Sequence, residues 1–435
     1  MKPKPFGFLD HFALWGTLGV TLYIMPFGSL LVPALSIEMA FLAVAVAAVL
    51  GGVLIGALAA IAAHTGLGST DLFARPFGAR SKPFVGILLL LRNVIWGAFA
   101  LYLISDAAQL VSDRAIGVGL RPLWALVFTL AGLGLVMAGP EFVVRKLLRR
   151  AGIWIVLLVA LGITGSAYME FEIPTYLKRS AAGGWPEFWQ AVDVMLLVPL
   201  LWLPVVADYA RRSAGTASAF GGSFLGLAVT TAWIGCLGVV YLPAVETGDI
   251  AGFVVGMELG VAALVILLIL QTDEVFVNAH SAGEAANAVL PVGSRTAAIA
   301  CGAIALILSL AFDLLSVEGS LLLLASLFVP LVGVVIADFV LTRGEDGLSM
   351  PYSAGIAWAF GFLLYHWIAP SDAAWWQDVT RWLFDDTLRL PYPLTDEVTW
   401  LGGAIPSFVA GFAIHAALRT VLSLVRQQPL PTPAN

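Results

Sequence analysis

The stretch Asp193–Arg212 reads DVMLLVPLLWLPVVADYARR. It is apolar enough to span a bilayer, yet it carries Pro199 and Pro204 in its middle, Asp193 at one end, and Asp208 with Arg211 and Arg212 at the other. A proline removes one helical hydrogen bond and clashes with the preceding turn, so two of them five residues apart predict a bent or broken helix. Lipid tolerates freed backbone groups only where they face protein or a water-filled cavity. In secondary transporters, broken helices of this kind hold substrate and coupling ion near the bilayer midplane. The stretch is one half of a candidate binding site, and the rest of the chain has to supply the other half.

Of the 435 residues, 60% are hydrophobic and 11% are charged. Soluble domains carry about 25% charged residues, so the composition is that of an integral membrane protein. No polar stretch is long enough for a separate soluble core, and residues 1–435 read as one transmembrane domain. The start, MKPKPFGFLDHF, is not followed by a short apolar run with a small-residue cleavage site, so the first helix is expected to be retained. Cys236 and Cys301 both sit in apolar segments, which argues against a disulfide framework. The basic residues are scattered over short loops without interleaved aromatics, a pattern unlike nucleic-acid binding.

Twelve spans are expected, at about 12–35, 39–63, 83–110, 122–140, 151–170, 188–209, 219–242, 254–285, 295–313, 317–341, 352–369 and 399–423. Between the last two, roughly 372–390, Trp375, Trp376 and Trp382 mark an interfacial stretch. With the N-terminus in the cytoplasm, fifteen Lys and Arg fall inside and six outside, and Arg92 within span 3 completes the 22. That split follows the positive-inside rule and predicts a multi-pass plasma (bacterial inner) membrane protein with both termini cytoplasmic. Span 1 is interrupted by Pro26 and Gly28, and span 6 by Pro199 and Pro204. The two lie five spans apart and so face opposite ways. Corresponding interrupted spans in two halves point to a transporter's binding site, and they divide the chain into repeat 1 (about 12–170), repeat 2 (about 188–341) and helices 11 and 12 (about 352–423). Ordinary kinking is the plainer account of either span taken alone.

Carboxylates inside a membrane are costly and are functional candidates by default. Span 8 holds the richest set: Gln271, Thr272, Asp273, Glu274, Asn278, His280, Ser281 and Glu284. At 100° per residue Asp273, His280 and Glu284 share one face, with Glu274, Asn278 and Ser281 on the next. Such a stripe belongs against the bundle interior. His280 and Glu284 also fit a solvated cytoplasmic helix end, whereas Asp273 and Glu274 follow nineteen nearly uncharged residues and should lie deep. Asp208 with Arg211 reads either as an inner-gate cluster or as an interfacial anchor. Trp96 and Trp202 offer faces on which a flat ring could stack. The histidines are too dispersed for a metal site.

These residues resemble the nucleobase:cation symporter-1 family, within the amino acid–polyamine–organocation superfamily, and most nearly its bacterial hydroxymethylpyrimidine and cytosine permeases. The resemblance rests on Pro199-Leu-Leu-Trp202-Leu-Pro204-Val-Val-Ala-Asp208-Tyr-Ala-Arg211, on Arg75-Pro-Phe-Gly78, on Trp96-Gly97, on Asn278-Ala-His-Ser281-Ala282, and on Trp15 through Gly28 to Pro33. It implies an all-α fold of twelve transmembrane helices, with an inverted five-plus-five repeat (LeuT-like) and discontinuous helices 1 and 6. It further implies a substrate site made by Tyr23, Trp96, Pro199, Trp202 and Asn278. Helix breaks or gates would fall at Pro26, Gly28, Pro204, Asp208 and Arg211. A cation site would use the span 1 backbone from Gly19 to Tyr23 and the span 8 positions Thr272, Asp273 and Glu274. Here the chain departs from sodium-coupled relatives, which show a Thr or Ser pair where Asp273 and Glu274 stand. An acid can carry a proton and release it, so proton coupling is expected, with sodium as the alternative.

The expected function is uptake of a small planar heterocycle, a pyrimidine nucleobase or hydroxymethylpyrimidine-like thiamine precursor, coupled to inward flow of H+ or Na+ by alternating access. A purine, a hydantoin or another vitamin-like substrate would ask for the same kind of site. No cofactor beyond the coupling ion is expected, and the partners are the heterocycle and the lipid bilayer. An intramembrane enzyme built on the span 8 acids and His280 would need a second set of ligands, and no HExxH-like cluster supplies it. A channel would spread polar residues over several spans. The sequence does not indicate an oligomeric state.

Overall fold

The computed structural model of the chain describes residues 5–21, 24–170, 177–178, 180–245, 265–266, 268–316, 318–342, 349–390 and 401–427. Among these residues nine helices are long and apolar enough to cross a membrane. Of the other three expected spans, span 1 is split, span 8 has its first part outside the described residues, and span 11 is the helix Pro351–Ile368. Span 6 is the most buried of the nine, with 83% of its most apolar window enclosed against 22% for span 12. The stretch that decides the fold is therefore also the centre of the bundle.

The helices sort into two packed groups. Span 7 (Thr216–Val245) lies along span 2 (Ile37–Thr65) and both pieces of span 1, and span 6 packs on span 2. Span 8 (Thr272–Val289) lies along span 3 (Lys82–Ile116) and span 9 (Ser294–Ala311), and span 4 (Arg121–Ala138) joins them. Close approach in the first group needs glycine. A side chain at Gly28 would strike the backbone of Gly235 and Gly238 in span 7. Spans 10, 11 and 12 pack together outside the two groups. Span 10 comes in two pieces, Glu318–Ser326 and Phe328–Thr342, and the Leu327 carbonyl between them accepts from Trp358 Nε1 at 2.8 Å. The expected interfacial stretch forms Ala374–Arg381 and a π-helical continuation Trp382–Thr387, with Trp375 and Trp382 more than half exposed.

Both expected breaks exist; that of span 6 falls on Pro204, as expected, and that of span 1 falls ahead of Pro26 and Gly28. Span 1 is a helix Phe8–Leu18 and a second helix Ile24–Ser29. The interruption is at Gly19–Thr21, and Leu22 and Tyr23 lie outside the described residues. Pro26 and Gly28 are thus not the break. Both belong to the short second helix, whose first turn tolerates a proline because its N–H has no helical acceptor there. Span 6 runs as an α-helix from Phe188 to Trp202, straight through Pro199. It tightens to a 3₁₀ turn at Leu203–Val205, on Pro204, and resumes over Val206–Ala210. Pro199 instead fits against Gly51 of span 2, where any β-carbon would collide with its ring.

Candidate functional site

The two breaks are answered in the same way. At span 1, the Val20 carbonyl accepts a hydrogen bond from the Gln271 side-chain amide at the start of span 8. At span 6, the Leu201 carbonyl accepts from Arg92 Nη2 in span 3. A backbone carbonyl released inside an apolar bundle must find a donor, and the group of spans 3 and 8 supplies one long polar side chain to each of the two breaks in the other group.

Arg92 is 2% exposed, the most buried cation among the described residues. Its Nη1 donates to Asn93 Oδ1 at 2.7 Å and to Asn278 Oδ1 at 3.0 Å. Asn278 in turn gives its Nδ2 to the Glu274 carbonyl at 2.9 Å. Arg92, Trp96, Trp202, Glu274, Asn278 and Thr21 line one cavity, together with Val198, Leu201 and neighbouring apolar residues of span 3. The cavity is small, about 30 Å³. Trp96 and Trp202 are both buried, and Trp96 meets Phe99 edge-on at 5.3 Å. A planar ring needs a larger slot, so its entry requires these indoles or the guanidinium to shift.

The acids of span 8 are not equivalent. Asp273 is 3% exposed, lies beside Thr17 of span 1 and does not line the cavity. Its Oδ2 is buried without a hydrogen-bond partner. Glu274 lines the cavity, near Thr21 of the span 1 break and the Arg92 guanidinium, and its Oε1 is likewise buried and unpartnered. Thr272 is buried at the helix start. Gly19 ends the first helix, donating to the Trp15 carbonyl at 2.9 Å, and lies against Thr230 and Thr231 of span 7.

Two larger cavities lie elsewhere. One of about 390 Å³ sits around Asp193, Tyr365 and His366, where both Asp193 oxygens accept from the Gly403 and Ala404 amides at 2.9 and 2.8 Å. The other, about 350 Å³, is lined by Arg212, His280, Glu284 and Arg295. His280 is 7% exposed, so it is not a solvated helix end. Around this second cavity, Asp208 accepts from the Ser69 amide at 2.9 Å, and Arg211 pairs with Glu284 at 2.5 Å. These contacts tie span 6 to the short helix Ser69–Ala74 after span 2 and to span 8. Asp208 and Arg211 therefore cross-link elements and do not merely anchor one helix end.

Of the expected substrate residues, Trp96, Trp202 and Asn278 come together, Pro199 stands outside the cavity, and Tyr23 lies outside the described residues. Sequence reasoning passed over Arg92 and left Gln271 without a role. The signal for Arg92 was available: a cation in the middle of span 3 is as costly there as a carboxylate in span 8. No known metal-ligand grouping occurs among the described residues.

Residues 6–360 match the family model of permeases for cytosine/purines, uracil, thiamine and allantoin. The chain belongs to this family, the nucleobase:cation symporter-1 permeases. The permease resembles solved structures over nearly all its length. It matches Mhp1 in a closed conformation with bromovinylhydantoin bound at TM-score 0.75 and 16% identity, covering 97% of this chain and 94% of that one. It matches the inward-facing conformation of Mhp1 at TM-score 0.71 and 16% identity, covering 98% and 94%. MhsT in complex with L-phenylalanine matches at TM-score 0.60 and 16% identity, covering 97% and 99%. No curated protein sequence matches the permease. The fold is the expected inverted repeat with discontinuous helices 1 and 6, and the protein is a transporter, not an enzyme.

Proposed function

We propose that the permease imports a small planar heterocycle with a cation, by alternating access about the two breaks. The substrate ring lies between Trp96 and Trp202 in the cavity those residues line, since indole faces suit a flat π system. The observation that carries coupling is the state of Asp273: it is buried, next to the unwound end of the first helix, with one carboxylate oxygen left without a partner. A buried charge without a counter-ion is unfavourable, so this acid is where a cation belongs. A proton is the reading favoured by an acid in place of a hydroxyl pair, and sodium is the second, favoured by the nearby Thr17 and the break carbonyls. Loading the cation would stabilise the state open to substrate outside. The charge split of the loops places both termini in the cytoplasm, and an inward cation gradient then drives the substrate inward.

The substrate class is a pyrimidine nucleobase or hydroxymethylpyrimidine-like thiamine precursor, by resemblance of the span 6 and span 8 motifs. The test is uptake of labelled cytosine and of 4-amino-5-hydroxymethyl-2-methylpyrimidine by proteoliposomes under an imposed pH gradient, with and without sodium. Uptake driven by the pH gradient alone is expected. Uptake that requires sodium and ignores the pH gradient selects the second reading.

A further inference from the structure

Resting on the heterocycle reading above, we infer that Arg92 and Glu274 form the specificity edge of the substrate site, leaving Asp273 alone to hold the coupling cation. The division follows from which groups line the cavity. Glu274 and Arg92 do; Asp273, one residue away and about 100° round the helix, does not.

Consider the polar groups a ring would meet. Asn278, the amide expected to read the substrate, is already committed at both ends: its Oδ1 accepts from Arg92 and its Nδ2 donates to the Glu274 carbonyl. Arg92 carries five N–H donors and no acceptor. Three bonds go to Asn93, Asn278 and Leu201, which leaves two donors on a side chain that borders the cavity. Glu274 Oε1 is a buried acceptor without a partner on the same cavity. The cavity thus presents both spare donors and an unsatisfied acceptor, and two indoles line it with them. The complementary ligand edge is an acceptor next to a donor on a planar ring. A lactam, O=C–N–H, has that edge, and so does an amidine-like ring N=C–NH₂.

Charge supports the same division. Arg92 and Glu274 line the same cavity, so an ionised pair leaves the specificity edge without net charge. Asp273 remains as the one acid of the two that has no cation beside it, and a single bound monovalent cation would make the site neutral.

The geometry explains why the pair would discriminate sharply. A site built around buried hydrogen-bonding groups rejects an analogue that leaves them unpaired far more strongly than it rejects a small change in apolar shape. Removing the ring's donor strands Glu274 Oε1, and removing its acceptor strands Arg92.

The experiment is equilibrium binding to the purified full-length permease in nanodiscs. The probes are cytosine, uracil, hypoxanthine and 4-amino-5-hydroxymethyl-2-methylpyrimidine, each paired with the analogue whose edge donor is removed by methylation, N-methyl for a ring N–H and N,N-dimethyl for an exocyclic amine. Wild type should bind at least one parent ring about ten-thousandfold more tightly than its methylated partner. Glu274→Gln and Arg92→Lys should each reduce that preference to within a few-fold, while Asp273→Asn should keep it and lose the cation dependence of binding. If Arg92→Lys does not fold, Glu274→Gln carries the test. A Glu274→Gln variant that retains the full preference overturns the inference and leaves the heterocycle reading standing. Wild type that binds none of the parent rings overturns that reading and the inference with it.

Discussion

Asp10 and Asp273 are the same residue type, equally buried at 2% and 3% exposure, and they are used in opposite ways. Asp10, in the first turn of span 1, accepts from the Gly7 amide at 2.9 Å, from Arg145 Nε at 3.2 Å and from Arg149 Nη1 at 3.0 Å. Both carboxylate oxygens that burial takes from water are partnered, and the carboxylate clamps the start of span 1 to the segment Val143–Gly152 that leads into span 5. Asp273 has Thr17 beside it and an oxygen with no partner. Burial alone therefore does not separate a structural acid from a working one; satisfaction does. A fully partnered carboxylate has no reason to release its partners, whereas a half-partnered one gains by taking up a cation.

The contrast predicts a hierarchy of effects. Asp273→Asn should reduce gradient-driven uptake by two orders of magnitude or more, with thermal stability in detergent equal to or above wild type, because the neutral amide is cheaper to bury. A variant that is both unstable and still coupled would place Asp273 with Asp10. Gln271→Ala should come next, lowering uptake about tenfold as the Val20 carbonyl loses its donor, a loss of about 1–3 kcal/mol if no water replaces it. Initial-rate uptake in proteoliposomes reads this directly. Asp10→Asn should do the reverse of Asp273→Asn, costing about 2 kcal/mol of stability through its charged hydrogen bonds while leaving the cation dependence of uptake unchanged. A shift in that dependence would break the comparison. The smallest effect should come from Arg211→Gln, since the pair with Glu284 is partly exposed and such pairs contribute about 0.5–1 kcal/mol. Melting should barely move, and faster labelling of a cysteine placed in the Arg212–His280 cavity should report easier opening at that end.

How much of this was legible varied with the kind of signal. The apolar runs, Pro204 and the Trp-Leu-Pro-Val-Val-Ala-Asp string marked span 6 as the centre, and span 6 is indeed the most enclosed helix. Trp96, Trp202 and Asn278 were singled out by residue type and meet in one cavity. Pro199 and Gly28 were misassigned for a common reason. Proline and glycine break helices, but they also let helices approach, and only the neighbour tells which. Pro199 fills the hollow at Gly51, and Gly28 sits against Gly235 and Gly238. Arg92 and Gln271 were undervalued because their partners, the Leu201 and Val20 carbonyls, lie far away in the chain and become acceptors only through the breaks.

The amino-acid sequence by itself determined that the chain lives in a membrane, where its spans fall, and which polar residues pay the cost of being there, because hydropathy and the price of buried charge act residue by residue. Only the tertiary structure decided which of those polar residues are satisfied. Hydrogen-bond satisfaction belongs to pairs, and the pairs here join span 8 to span 1 and span 3 to span 6 across the interface between two helix groups.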